Sequence, residues 1–181
     1  MKKFNLILLG SVVLISIVVI INVLTSSDEI TISRTGENNL NGISYNINNL
    51  EKGMYKIDLF AKEYENGELV GEYNLYSKNI EHKSKNVNLK VGVEDSPENY
   101  YIKGLITASL SKELKLSFFE NNPTISLLVL EKSKTIVLDK ETPIVIYNTD
   151  DINENSDISD GYDIGQYEGE LIVSMKLSKI Q

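Results

Sequence analysis

The segment Tyr55-Lys56-Ile57-Asp58-Leu59-Phe60-Ala61-Lys62 sets Tyr55, Ile57, Leu59 and Ala61 at every second position. It breaks at Glu65-Asn66-Gly67-Glu68 and resumes from Leu69 to Tyr76. A two-residue period puts one set of side chains on one face of a β-strand. Asn-Gly between two such runs marks a hairpin, because both central residues of a type I′ turn need positive φ. The stretch therefore predicts two antiparallel strands joined at Asn66-Gly67.

The same period recurs along the chain. Val87-Asn88-Leu89-Lys90-Val91-Gly92-Val93-Glu94 alternates strictly, and Leu171, Val173, Met175 and Leu177 face one way. Strands are also predicted at 30–34, 43–47, 100–109 and 144–147. Leu114–Phe119 reads as a strand with Leu114, Leu116 and Phe118 on one face; Tyr100-Tyr101 and Phe118-Phe119 place aromatics on both faces of their strands, the outward member being a candidate for a binding patch or for cover by a loop. Segments 125–130 and 135–138, flanking Glu131-Lys132-Ser133-Lys134, read as a second hairpin. The one helical candidate is a turn or two around Ser109–Leu114. Many short strands separated by turn signals predict an all-β fold, an antiparallel β-sandwich of roughly eight to ten strands. Each strand has one apolar and one polar face, as two packed sheets require.

Before this domain lies a different kind of segment. From Phe4 to Leu24, 21 positions carry no charge, after Met1-Lys2-Lys3. A helix of that length spans roughly 30 Å, the thickness of a bilayer core. The expected organisation is a cytoplasmic stub at 1–3, a transmembrane anchor at 4–24, a tether at 25–28 and an extracytoplasmic domain at 29–181. Secretion after cleavage near Thr25 is the alternative. The run is longer than the usual signal-peptide core, and its exit, Asn22-Val23-Leu24-Thr25-Ser26-Ser27, has no alanine and offers only poor cleavage options such as Val23/Thr25. With no cysteine, the chain cannot carry a lipoprotein anchor or disulfides. The domain must be stabilised by its core alone.

The chain has 18 basic and 26 acidic residues. Two lysines precede the anchor and every acid follows it, so the part beyond carries −10. That excludes nucleic acid as a natural partner, since its affinity rests on neutralising phosphates. Abundant Lys, Asn and Ile, with a single arginine (Arg34), fit an AT-rich bacterial genome.

From Thr149 to Tyr167 the strand rhythm stops. The acidic loop 149–164 offers Asp150, Asp151, Asp157, Asp160 and Asp163 as candidate ligands for calcium, with Glu154 and neighbouring asparagines. The EF-hand spacing fails, so the match is compositional; a solvated, self-repelling loop is the plainer reading. Ser109-Leu110-Ser111-Lys112 matches the S-x-x-K pattern of penicillin-binding enzymes, but the S-D-N and K-T-G companions are missing. His82, the single histidine, reads as a solvent-facing linker residue. Glu63, Glu65, Glu68 and Glu72 crowd the first hairpin and read as a solvated edge, although a buried pair could serve a glycosidase.

These readings lead to a membrane-anchored, non-enzymatic binding or accessory module for a protein, envelope or cell-wall ligand. No catalytic residue is assigned and no cofactor is expected, calcium apart. A calcium-responsive sandwich is the alternative, and a carboxylate-based hydrolase the third reading.

Overall fold

The computed structural model describes residues 29–35, 42–83, 89–96, 99–107, 109–110, 113–122, 124–149 and 157–180. The expected stub, anchor and tether at 1–28 lie outside them. Among the described residues no helix is long and apolar enough to cross a membrane.

Twelve strands occur among the described residues: β1 (Thr31–Arg34), β2 (Gly42–Asn48), β3 (Gly53–Glu65), β4 (Glu68–His82), β5 (Leu89–Ser96), β6 (Tyr101–Ile106), β7 (Ser109–Leu110), β8 (Leu114–Lys115), β9 (Ser126–Val129), β10 (Lys134–Thr135), β11 (Glu141–Asn148) and β12 (Gly169–Ile180). One short helix, α1 (Ser117–Asn121), interrupts them. The strands form two antiparallel sheets, consistent with a β-sandwich. The larger runs β10-β1-β2-β5-β6-β7, with β8 also on β6, and the smaller runs β4-β3-β12-β11-β9.

The β3–β4 hairpin forms as its sequence predicts. Asn66 (φ 49°) and Gly67 (φ 81°) make the turn, and Glu65 pairs with Glu68. Tyr55, Ile57, Leu59 and Ala61 are buried against the larger sheet. Gly104 of β6 marks a close approach between the sheets. A Cβ there would lie 2.9 Å from Tyr76 Cβ and 3.1 Å from Leu59 Cδ1. Two tyrosines tie the layers together. Tyr45 of β2 donates to the Ile144 carbonyl at 2.5 Å and accepts from the Leu130 N–H at 3.3 Å. Tyr147 of β11 donates to the Asp95 carboxylate of β5. Burial raises the pKa of both phenols, so both stay protonated donors.

Several expectations are corrected. There are more strands than the expected eight to ten, because two-residue strands (β7, β8, β10) leave almost no periodic signal. The predicted strand Leu114–Phe119 is β8 followed by α1. A strand would send Phe118 and Phe119 to opposite faces, whereas one helical turn buries both. Phe119, expected outward, packs edge-on to Tyr147 with ring centroids 5.2 Å apart. The helical candidate around Ser109–Leu114 instead holds β7 and the start of β8. The predicted second hairpin does not form: β9 pairs with β11 in the smaller sheet and β10 with β1 in the larger. Residues 130–133 therefore cross between sheets. His82, expected in solvent, ends β4 at only 6 % exposure, and its Nε2 has no hydrogen-bond partner among the described residues.

Candidate functional site

The two sheets leave an open end beside the β3–β4 turn. Three elements meet there: the end of β3, the helical turn α1, and the chain entering β12. They enclose a cleft of about 360 Å³ whose lining includes Glu63, Glu65, Asn66, Phe118, Asn122 and Glu168. Phe118 lies beneath Gly169, where an added Cβ would meet the Phe118 ring at 3.7 Å and Thr149 Cγ2 at 2.8 Å. Asn122 donates its amide to the Phe118 carbonyl at 2.7 Å, closing the end of α1.

Glu63 is the notable member. The sequence places it on an exposed hairpin; the structure leaves it 8 % exposed, so that expectation is corrected. It continues the inward-facing series Tyr55–Ile57–Leu59–Ala61, which is why its carboxylate reaches the end of the core. Oε2 accepts from Tyr73 OH at 2.7 Å. Gly71 makes this reach feasible, since a Cβ there would lie 2.6 Å from the Tyr73 hydroxyl oxygen. The bond to Glu63, and burial after it, raise the Tyr73 pKa to about 12, so the phenol remains a donor. Among the described residues no hydrogen bond reaches the other Glu63 oxygen, Oε1. Glu65, Glu68 and Glu72 are exposed, as the sequence suggests.

Beside the cleft, residues 157–168 form a strap over the outer face of the smaller sheet. Asp157 makes a parallel bridge to Val129, and Ile158 N–H donates to the Val129 carbonyl at 3.2 Å. Ile158 is buried, and Tyr162 and Tyr167 stack 6.5 Å apart while packing on the core. The strap ends on Glu170, which is fully buried. Glu170 accepts from Tyr162 OH (2.6 Å), Gly165 N–H (2.9 Å) and Tyr167 N–H (3.0 Å). Asn66 N–H donates to the Glu168 carbonyl at 2.8 Å, joining strap to hairpin. This covering explains why Leu128, Ile146 and Ile172 are buried on a face expected to be polar. The sequence signal was the pair Tyr162 and Tyr167 among acids, which a purely solvated loop does not need.

Of the proposed calcium ligands, Asp150 and Asp151 lie outside the described residues. Asp157 is built into a turn. Its Oδ1 accepts from Glu131 N–H (3.1 Å), Ser159 N–H (2.9 Å) and Ser159 Oγ. Burial opposes ionisation there, but these bonds and Lys132 prevail and hold its pKa near 2. Lys132 also pairs with Asp160 at 3.1 Å, and Asp163 is exposed. Among the described residues no three His, Cys, Asp or Glu side chains are grouped to hold a metal. Ser109 of the S-x-x-K match lies on a strand and takes a hydrogen bond from Lys78 at 3.2 Å.

No protein-family model, curated protein or solved structure matches this chain.

Proposed function

We propose that this protein is a membrane-anchored, extracytoplasmic binding module that takes a protein or envelope ligand in the cleft at the hairpin end of its sandwich. The observation that supports it is the cleft itself, where a buried, oriented carboxylate meets amides and an aromatic floor. Concave sites with a few convergent polar groups are the usual setting for ligands. The apolar run at 4–24 supplies the anchor, and its basic flank puts the domain outside.

The absence of native cysteine permits a clean test of topology. A single cysteine at exposed Thr124 should react with a membrane-impermeant maleimide on intact cells, and the purified membrane protein should retain residues 1–24 by mass. Labelling only after lysis overturns the topology. For binding, the full chain should retain a defined envelope component that a Glu65→Gln/Glu168→Gln variant releases; equal retention by both overturns the cleft as the site.

A second reading, a carboxylate-based hydrolase, draws on the same feature, since Glu63, Glu65 and Glu168 all line the cleft. It requires turnover of glycoside substrates that Glu63→Gln abolishes. The calcium-responsive reading requires a rise in melting temperature at millimolar calcium, and an unchanged melting temperature removes it.

A further inference from the structure

Resting on the cleft as the binding site, we propose that its ligand group is a protonated primary amine on an alkyl stem, of the lysine kind, with Glu63 as its counter-charge. Glu63 is more than nine-tenths buried, and among the described residues the cleft lining contains no lysine, arginine or histidine. Tyr73 satisfies Oε2 and leaves Oε1 without a donor from the described residues. Oε1 is not shut into the packed core, so a charged donor entering the cleft can reach it, and a bond to a charged donor is the stronger kind. A hydroxyl could supply a hydrogen bond there, but only a cation also compensates the charge.

The surroundings favour the same group. Glu65 and Glu168 add two exposed carboxylates to the lining, and the chain beyond the apolar run carries −10, so cations are drawn towards the cleft. Phe118 offers an apolar floor to an alkyl stem, which long amines bury while the head stays polar. The Tyr73–Glu63 hydrogen bond fixes the carboxylate before any ligand arrives, which lowers the ordering cost of binding.

The probe is Nα-acetyl-lysine amide, titrated into the isotope-labelled full chain in detergent micelles and followed by backbone amide shifts. Its control is Nα-acetyl-norleucine amide, which has the stem but no ammonium. The lysine probe should shift the amides of Asn66, Asn122 and Gly169 saturably, and norleucine should not. Glu63→Gln, which keeps an acceptor for Tyr73, should weaken binding about tenfold or more, as loss of a charge-assisted bond implies. If that variant fails to fold, Glu65→Gln/Glu168→Gln at exposed positions should weaken binding and flatten its salt dependence. Equal response to both probes, or full affinity in the folded Glu63→Gln protein, overturns the amine. A neutral disaccharide that shifts these amides where lysine does not overturns the amine and leaves the binding module standing. Silence from all probes, together with equal envelope retention by the parent and cleft variants, overturns both.

Discussion

Two buried glutamates on neighbouring strands have opposite fates. Glu170 is saturated by three donors, whereas Glu63 keeps an oxygen for the cleft. Removing the Glu170 carboxylate strands the N–H groups of Gly165 and Tyr167 under the strap. At about 1 kcal/mol for each of the three part-buried bonds lost, Glu170→Ala should cost about 3 kcal/mol in urea unfolding, and Glu170→Gln, which keeps an acceptor, clearly less. Coincident urea midpoints for Glu170→Ala and the parent would remove its role as the strap's anchor. Tyr45 is a second residue-scale device. Tyr45→Phe leaves the packing but deletes the bond to the Ile144 carbonyl, and should cost about 1 kcal/mol in the same measurement. An equal loss from Tyr101→Phe, half-buried and on a different strand, would show that the cross-sheet bond is not the cause.

Hairpin and strap behave as one element because two glycines let them touch. Gly165 has φ 89°, and a Cβ there would sit 3.1 Å from Gly67 Cα; Gly161 has φ 123° with nothing within 4 Å of a Cβ. Both alanines are strained, but only one collides. Gly165→Ala should therefore lower the melting temperature more than Gly161→Ala, beyond the roughly 1–2 kcal/mol left-handed penalty itself. Equal melting shifts would remove the contact from the account. At the strap's start, Asp157 titrates near 2 in the fold against an ordinary 3.8. A lowered folded pKa means its stabilisation is present above about pH 4 and is lost as pH falls through about 2. Amide exchange at Glu131 and Ser159, corrected for intrinsic rates, should accelerate across that window while core amides such as Val173 hold; uniform behaviour would refute the pin. The hairpin was legible because its register and turn are local. The strap was not, since its apolar residues Ile158, Tyr162 and Tyr167 follow no period and gain meaning only on the sheet beneath them.

For the whole molecule, a cysteine-free domain closes two sheets over one core and seals the hairpin end with Phe118 and Phe119. Period-two patterning and Asn66-Gly67 were sufficient for an all-β reading, because alternation and turn φ are properties of neighbours in the chain. Sheet partners were a different matter. Residues 126–135 looked like a hairpin yet divide between sheets, since a short polar connection fits a crossing as well as a turn. His82 and Glu63 looked solvated because a polar residue's burial depends on what packs over it. The amino-acid order by itself determined the long strands, where the first turn falls and where the charge lies. Only the tertiary structure decided which strands pair, which glutamate is saturated and which faces a cleft, because those depend on what packs over each residue once two sheets about 10 Å apart close on one another.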